Sequence, residues 1–386
     1  MLGEEIRAEA RGLGFSLVGI ARPDPSEHLS FYRRWLDEGR HGEMGYLARP
    51  DAVARRGDLR QTMADVRSVI VVGLEYLSDA RSEETADAAS GVIARYARGR
   101  DYHRVVKAKL EKMAEAVRAR VGGEVTARAY VDTGPILERE LARRAGLGWF
   151  GKNTMLIHPR RGSWFFLGAL LLDIDLDPDE AFETDHCGTC SRCLDACPTG
   201  ALLGREASGA PVMDATRCIS YLTIEHRGSI PRELRTAIGN RIYGCDICQE
   251  VCPFNGPKFA EASSEPDFKA RAHTTDRTLI DLMAMDEAAW DEFSRGSALR
   301  RAKRGGFMRN VAVALGNWGS AEAVPSLVSA LGGTEPLVRG HAAWALGRIG
   351  TSAARAALDA RLEVEVDLDV REEIELALAA DSGKSG

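Results

Sequence analysis

The spacing of the cysteines constrains this chain more than any other feature of its sequence. All eight lie between Cys187 and Cys252 in a chain of 386 residues. The first four follow the pattern C-x2-C-x2-C-x3-C-P and end at Cys197, which precedes Pro198. In bacterial two-cluster ferredoxins, three thiolates of such a run hold one [4Fe–4S] cubane, and the fourth binds the other cluster. The pattern therefore predicts two iron–sulfur clusters.

The other cysteines complete the eight thiolates that two [4Fe–4S] clusters require. A second run ends at Cys252 and is again followed by proline, and Cys218 stands alone between the two runs. Because the fourth cysteine of a run serves the other cluster, the first cluster is assigned Cys187, Cys190, Cys193 and Cys252. The second cluster is assigned Cys197, Cys218, Cys245 and Cys248.

A disulfide framework and a zinc site are the alternative interpretations of these cysteines. Disulfides are typical of short secreted chains, whereas this chain is long and begins with a charged amphipathic pattern instead of a secretory leader. Zinc suits any single CxxC pair. It explains neither the third thiolate of the first run nor the two Cys-Pro pairs, so we favour the clusters over both alternatives.

Composition predicts a soluble protein of two or three domains. Hydrophobic residues make up 45% of the chain, and no apolar run is long enough to span a bilayer. We therefore expect a cytoplasmic protein with no membrane association, in a compartment where thiolates stay reduced. The formal net charge is −6, so a polyanion would need a local basic patch.

Helical and strand-like segments alternate in residues 1–178 and predict an α/β domain. Residues 67–74 form a continuous apolar run, which is typical of a strand covered on both faces. A helix is expected at 102–121, and another is expected to begin near Pro135. The polar loops at strand ends are natural ligand sites. A ferredoxin-like domain with the two clusters is expected at 179–262.

One glycine-rich loop resembles a nucleotide-binding motif. Residues 146–153 read GLGWFGKN, which matches GxGxxG and nearly matches a P-loop. Both motifs need a strand before the loop and a helix after it, so that phosphate meets a helix N-terminus. Here a helix precedes the loop, a strand-like segment follows it, and Asn153 replaces the Ser or Thr of a P-loop. We therefore reject nucleotide binding by this loop.

Residues 263–380 contain a helical repeat. The sequence ALGNWG at 314–319 recurs as ALGRIG at 345–350 and weakly at 377–379. The motif therefore repeats every 31 to 32 residues. A period of this length, filled with apolar residues at helical spacing, predicts a short HEAT-like α-solenoid. Such stacks usually form binding surfaces, and the alternative is a cap that covers apolar surface. The tail at 381–386 is expected to be disordered.

A basic run precedes this repeat in an otherwise acidic chain. Five of the ten residues from 295 to 304 are basic. Runs of charge are usually solvated faces, but few acids balance this one. The candidate surface for a polyanion consists of Arg295, Arg300, Arg301, Lys303, Arg304 and Arg309.

Four stretches of the chain resemble the epoxyqueuosine reductase family. They are YVDTGPILER at 130–139, GLGWFGKN at 146–153, CISYLTIE at 218–225 and GNRIYGC at 239–245. The similarity extends over nearly the whole chain, including RYARGRDYH at 95–103. It implies a cobalamin-binding N-terminal domain of nitroreductase-like fold, followed by the ferredoxin-like and HEAT-like domains. Without this resemblance, nothing in the sequence would reveal cobalamin.

The resemblance also implies an activity, which is the reduction of the epoxide of epoxyqueuosine to the alkene of queuosine at the wobble base of tRNA. This is the last step of queuosine biosynthesis. It consumes two electrons and two protons and releases water. The clusters pass one electron at a time, and cobalamin can collect two. The implied partners are tRNA with epoxyqueuosine in its anticodon and an external low-potential electron donor, and a monomer is expected.

Asp132 is the implied proton donor, since the breaking C–O bond leaves an alkoxide that needs a proton. From the sequence alone, a helix cap would be the favoured role of this residue. The residues that the resemblance places beside cobalamin or the substrate are Arg56, Tyr96, Asp132, Asn153, His158, Ser220 and Thr223. The basic run becomes the implied tRNA surface. Two alternatives remain open, which are a cobalamin-dependent reductive dehalogenase-like enzyme and a non-catalytic two-cluster electron carrier.

Overall fold

A computed structural model of the chain describes residues 2–78, 87–275 and 277–379. The predicted disordered tail lies outside these residues. No helix in the described ranges is long and apolar enough to cross a membrane. The α-helices are α1 Leu2–Gly12, α2 Leu29–Asp37, α3 Pro50–Gly57, α4 Tyr102–Val121, α5 Glu138–Arg144, α6 Arg192–Asp195, α7 Ile219–Ile224, α8 Arg232–Ile238, α9 Ile247–Glu250, α10 Ala272–Thr275, α11 Leu279–Met283, α12 Glu287–Ser294, α13 Lys303–Trp318, α14 Val324–Leu331, α15 Pro336–Ile349, α16 Ser352–Val364 and α17 Leu368–Ala379.

The strands are short except for two central ones of eight residues each. The strands are β1 Leu17–Ala21, β2 Ser68–Glu75, β3 Val92–Ile93, β4 Ala127–Tyr130, β5 Trp149–Phe150, β6 Leu156–Ile157, β7 Phe165–Leu172, β8 Leu202–Arg205, β9 Pro211–Met213 and β10 Arg241–Tyr243.

The chain forms two compact units, and each is built from three separate segments. Unit 1 contains residues 1–80, 99–216 and 246–269, and unit 2 contains the rest. The α/β part and most of the cysteine-rich part therefore share one compact unit, instead of forming the two consecutive domains that the sequence suggests. The short strand β3 was expected in the α/β domain, but it belongs to unit 2, where it pairs in parallel with β10.

A four-stranded sheet forms the centre of unit 1. Its order is β1-β2-β7-β4, and all three pairings are antiparallel. Every residue of β2 from Ser68 to Leu74 is buried. One face of the sheet packs against α5 through residues such as Val69, Val71 and Ala142, while α1 and α4 lie against strands β1 and β7. Coverage of both faces explains why the apolar run at 67–74 shows no alternation.

Helix α5 approaches the sheet very closely because β1 has a glycine at the contact. A Cβ atom added to Gly19 would lie 2.1 Å from the carbonyl oxygen of Ala145, a separation that no substitution could keep. The helix also begins later than predicted, at Glu138 instead of near Pro135. Residues 131–137 therefore form a loop between β4 and α5, and this loop carries Asp132.

The helices of unit 2 form the predicted HEAT-like stack. Helix α15 packs between α13 and α17. The repeated Ala-Leu-Gly motif marks the points of contact: a Cβ added to Gly316 would lie 2.9 Å from the Cα of Ala345, and one added to Gly347 would lie 2.6 Å from the Cβ of Ala377. The glycine of each motif therefore allows close approach of the next helix.

Arginines that recur with the repeat have a structural role inside unit 2. Arg309 donates to the carbonyl oxygens of three residues before α8. Arg339 donates to the carbonyls of Gly333 and Thr334, and Arg371 to those of Leu362 and Glu365. Each guanidinium satisfies carbonyls at chain turns, which otherwise would lack donors.

Two carboxylates in the last repeats accept hydrogen bonds from buried arginines. Glu365 accepts hydrogen bonds of 2.8 Å from both Nε and Nη2 of Arg339. Glu373 on α17 accepts from Arg235 of α8, a side chain that is 1% exposed. Helix α17 therefore supplies the counter-charge for an arginine that lies far earlier in the chain.

We expect Glu365→Gln to destabilise unit 2 strongly. The hydrogen bond from Arg339, reinforced by Arg361, lowers the pKa of Glu365 to about 2. Removing one partner of a buried ion pair typically costs about 3–5 kcal/mol. Because the pKa in the folded state is below the ordinary value, this stabilisation is present above about pH 4.5 and is lost as the pH falls towards 2. Urea unfolding at neutral and acid pH measures both effects.

The matched control is Glu363→Gln, which removes an exposed carboxyl from α16, two residues before Glu365. It should change the free energy of unfolding by less than about 0.5 kcal/mol. Equal unfolding curves for the two variants at neutral pH would contradict the structural importance of the Arg339–Glu365 pair.

Candidate functional site

Asp132 lies in a strained turn directly after β4. Its φ is 57°, a left-handed value that non-glycine residues seldom adopt. The turn is tight, since the amide of Thr133 donates to the carbonyl of Val131 at 2.6 Å. The Asp132 side chain is 65% exposed. Strain of this kind is often found where a side chain must be held towards a ligand.

The first residues of α4 hold the Asp132 carboxylate. Tyr102 donates its hydroxyl to Asp132 Oδ2 at 2.5 Å, and His103 Nε2 lies 3.3 Å from the same oxygen. The other ring nitrogen, Nδ1, lies 2.7 Å from Oδ1 of Asp101, the N-cap residue of α4. The imidazole of His103 therefore bridges two carboxylates.

This arrangement determines where the protons reside at neutral pH. Burial opposes a charged imidazole, but the hydrogen bonds and charges of Asp101 and Asp132 raise the pKa of His103 to about 9. For the exposed Asp132 carboxylate, the hydrogen bonds from His103 and Tyr102 lower the pKa below its usual range. At pH 7, therefore, His103 is an imidazolium and Asp132 is ionised.

Glu138 is a second carboxyl of this site, and the sequence suggested nothing for it beyond a helix start. Burial raises its pKa to about 8, and the negative charge of Asp132 adds to the effect. The positive charges of Arg139 and Arg56 act in the opposite direction. Arg56 is thus electrostatically coupled to Glu138, and its contact with a ligand stays a prediction. Its guanidinium lies over the ring of Tyr32, 5.6 Å from the centroid.

Two further residues of the predicted cobalamin set lie in unit 1. His158 is neutral at pH 7, because burial and the charges of Arg161 and Arg160 lower its pKa to about 4. Asn153 is buried, and its Nδ2 donates to the carbonyl of Cys248 at 3.2 Å. Asn153 thus supports a cysteine loop, and its direct contact with a corrin stays a prediction.

The predicted set also includes three residues of unit 2. The Thr223 hydroxyl donates to the Ile219 carbonyl at 2.7 Å and accepts from the amide of Gly244 at 2.9 Å. It therefore fixes the residue that precedes Cys245. Tyr96 packs near Tyr243, and Ser220 is half-buried in α7. A role in ligand binding stays a prediction for all three.

The four cysteines assigned to the first cluster all lie in unit 1. Burial raises the pKa of the Cys193 thiol to about 11, and Cys187, Cys252 and Cys190 contribute through their charges. The four thiols are therefore close enough to interact. All eight cysteines lie in the described residues, where they form no disulfide and are half-buried. Within the residues that the structure describes, no three ligand side chains converge on one point as a single metal ion requires.

The glycine-rich loop at 146–153 supports these cysteines. Trp149 donates its indole N–H to Cys187 Sγ at 3.5 Å. Lys152 donates to the carbonyls of Gly188 and Cys190 at 2.7 and 3.0 Å. The loop thus contacts backbone and sulfur of the cysteine runs, which gives a physical role to a sequence that resembles a nucleotide-binding motif.

The second set of cysteines is divided between the units. Cys197 and Cys248 belong to unit 1, and Cys218 and Cys245 belong to unit 2. The Cys197 sulfur accepts a hydrogen bond from the amide of Ala201 at 3.3 Å. The assignment of these four thiols to one cluster stays a prediction.

Two arginines of the basic run in unit 2 are less available to a ligand than the sequence suggests, because they are buried or bonded within the chain. Arg309 is 0% exposed and donates to carbonyls, so its predicted place in a tRNA surface is wrong. Arg304 pairs with Glu335 at 2.7 Å and is mostly buried. The exposed members of the run are Arg295, Arg300, Arg301 and Lys303.

Three family models match separate parts of the chain. Residues 56–133 match the model described as epoxyqueuosine reductase QueG, DUF1730. Residues 186–255 match the 4Fe-4S double cluster binding domain, and residues 296–379 match HEAT repeats. These matches confirm the predicted ferredoxin-like and HEAT-like parts.

Curated relatives and solved structures match nearly the whole chain. The epoxyqueuosine reductase of Xanthomonas campestris is 44% identical over 349 residues, which cover 89% of this chain and 95% of the relative. A crystal structure of epoxyqueuosine reductase with a tRNA-Tyr epoxyqueuosine-modified stem loop has a TM-score of 0.87 and 31% identity over 98% of both chains. The Bacillus subtilis enzyme, with its catalytic aspartate loop swung out of the active site, has a TM-score of 0.87 and 30% identity, again over 98% of both chains.

We expect Trp149→Phe to lower the reduction potential of the cluster held by Cys187. A hydrogen bond to a cluster sulfur stabilises the more negative, reduced state. An ordinary hydrogen bond contributes about 0.5–1.5 kcal/mol, which corresponds to roughly 20–60 mV for a one-electron couple. A redox titration followed by electron paramagnetic resonance measures this shift.

The control for this experiment is Trp35→Phe. It removes an indole N–H whose acceptor is the carbonyl of Met213, so both potentials should stay unchanged. An unchanged potential in Trp149→Phe, at full cluster content, would show that the N–H···S contact has no electronic effect.

Proposed function

The chain belongs to the epoxyqueuosine reductase family, and from this premise we propose how its residues serve the reaction. The enzyme reduces the epoxide of epoxyqueuosine to the alkene of queuosine, the last step of queuosine biosynthesis. Its cofactors are two [4Fe–4S] clusters and cobalamin. Its substrate is a tRNA that carries the modified base. An external low-potential electron donor, a monomeric state and a cytoplasmic location are further parts of the proposal.

The donor set of unit 1 suits these cofactors. Four mutually close thiols, one of which accepts an N–H bond, match the ligands of a cubane. Of the residues assigned to cobalamin, Arg56, Asp132 and His158 keep polar atoms for its carboxamide groups, while the hydroxyl of Thr223 is already bonded within the chain. When bound, cobalamin supplies the two-electron reduction.

Asp132 delivers a proton to the epoxide oxygen. The bridging of two carboxylates by the His103 imidazole carries this proposal, because it explains how an ionised aspartate can act as an acid. The proton resides on His103 and passes to the substrate through Asp132, 3.3 Å away. Asp101 orients the imidazole, and Tyr102 fixes the carboxylate by its hydroxyl. The aspartate loop of the Bacillus subtilis relative, which is described as catalytic, supports the same assignment.

We expect Asp132→Asn to reduce turnover by roughly a hundredfold or more, the usual scale for loss of a general acid. Iron content and cobalamin binding should be retained, since the amide keeps the shape of the side chain. In the wild type, turnover should fall as the pH rises through about 9, where His103 loses its proton. His103→Gln should be slower at neutral pH and should lack this alkaline decline. Anaerobic single-turnover assays over a pH series measure both variants.

Turnover of Asp132→Asn within a few-fold of the wild type would leave Asp132 as a structural residue. Electron transfer through the clusters without any epoxide reduction, in the wild-type protein, would instead favour the non-catalytic electron carrier.

The tRNA is proposed to bind the exposed part of the basic run. Arg295 and Arg300 share a single acid, Asp291, and Arg301 pairs with Glu225 at 2.7 Å. Because two guanidinium groups face one carboxylate and Lys303 is also exposed, the local charge stays positive. Such contacts position the nucleic acid by its phosphates, while identity comes from the unstacked modified base.

We expect Arg300→Gln combined with Lys303→Gln to weaken tRNA binding. The slope of log K against the logarithm of the salt concentration should become shallower by about 1–2, as expected for two lost phosphate contacts. Reduction of the free epoxy-nucleoside, where it is detectable, should be unchanged. Lys112→Gln, which removes an exposed charge from α4, is the control. Wild-type affinity and salt slope in the double variant would place the tRNA on another surface.

A further inference from the structure

Glu138 is a half-buried residue with a carboxyl group that the mechanism above leaves unused. It is the first residue of α5 and follows the strained loop that carries Asp132. Its Oε1 atom is buried and, among the described residues, has no hydrogen-bond partner. An ionised carboxylate oxygen in such a place would be costly, because no donor of the described residues compensates its charge. The geometry therefore favours the neutral acid.

The charges that face Glu138 come from three elements. Asp132 acts from the β4–α5 loop, Arg139 from α5 itself and Arg56 from α3. Burial is the largest influence and Asp132 adds to it, so that the pKa of Glu138 reaches about 8 in spite of the two arginines. Two carboxyls that share one site resist double ionisation. Asp132 has the hydrogen-bond donors, so the proton stays on Glu138.

We propose that Glu138 is a second acid of the reductase site, which stores one of the two protons that each turnover consumes. This inference rests on the proposed function. In the reaction, both C–O bonds of the epoxide break and a C=C bond forms. The two electrons come from the reduced cofactors, and the oxygen leaves as water after taking up two protons. His103 holds one of these protons, and Glu138 holds the other.

The site therefore already holds the protons that the reaction consumes before the substrate binds. Its two dissociable protons, on His103 and Glu138, equal the number that the reaction requires. Transfer of both would leave a neutral His103 and three carboxylates, Asp101, Asp132 and Glu138, an arrangement that recovers its protons from solvent. Glu138 thus allows the oxygen to depart as water instead of hydroxide.

The first test does not depend on activity. Infrared spectra of the cluster-loaded protein, recorded over a pH series, should show the carbonyl band of a protonated carboxyl with a midpoint near pH 8. Glu138→Gln should remove this band. Glu115→Gln, which removes an exposed carboxyl from α4, should leave it in place. Asp132→Asn should lower the midpoint, because the negative charge that helps to hold the proton is gone. A band that survives in Glu138→Gln overturns the proposal.

The second test uses turnover of epoxyqueuosine in tRNA. Glu138→Gln should slow the chemical step at neutral pH by about tenfold or more, with the KM for tRNA unchanged. In the wild type, loss of the Glu138 proton should add a first decline near pH 8 to the His103 decline near pH 9. Glu138→Gln should lose the decline near pH 8 and keep the one near pH 9, and Glu138→Asp should restore part of the rate. Wild-type kinetics and an unchanged pH profile in Glu138→Gln overturn the proposal. Failure of the wild-type protein to reduce epoxyqueuosine would instead overturn the proposed function, while the infrared result would still define the protonation of Glu138.

Discussion

The pairing of β2 with β7 is the constraint on which the rest of unit 1 depends. These two strands pair over eight positions, from Ser68 opposite Leu172 to Glu75 opposite Phe165. At the end where β2 finishes, Tyr76 and Ser163 bond with Gln249, which lies between two cluster cysteines. Strand β4 runs antiparallel to β7 and finishes towards the same end. One end of a single sheet therefore positions both the Asp132 loop and a cysteine run.

The electrostatics of the acid site follow from that placement. Helix α4 begins where β4 ends, so its N-terminal residues can hold the aspartate that follows the strand. The result is a row of alternating charge, with His103 between Asp101 and Asp132. A carboxylate that is stabilised in this manner is a poor acid by itself. The catalytic role proposed for Asp132 therefore requires neighbours that keep protons, and His103 and Glu138 are such neighbours.

The sequence was informative where chemistry depends on local spacing and less so where it depends on distant contacts. The cysteine runs predict the clusters because a cubane requires its ligands at short intervals, and the repeat predicts the helical stack for a similar reason. His103, Glu138 and Trp149 act through contacts that no spacing encodes. The prediction for Arg309 was wrong although a signal existed, since an arginine that recurs with the repeat indicates a structural role. The interleaved segments of the two units could not be inferred, because composition does not change where the chain passes between them.

The contact of α17 with α8 has a consequence for the order in which unit 2 can form during synthesis. Arg235 lies in the interior, and its carboxylate partner, Glu373, follows it by more than a hundred residues. Until that glutamate has left the ribosome, closure of unit 2 would enclose an uncompensated guanidinium, which is costly. The segment that holds Cys218 and Cys245 belongs to this unit. Its native packing must therefore wait until α17 has been synthesised, and delivery of iron and sulfur to these two cysteines should follow the appearance of that helix.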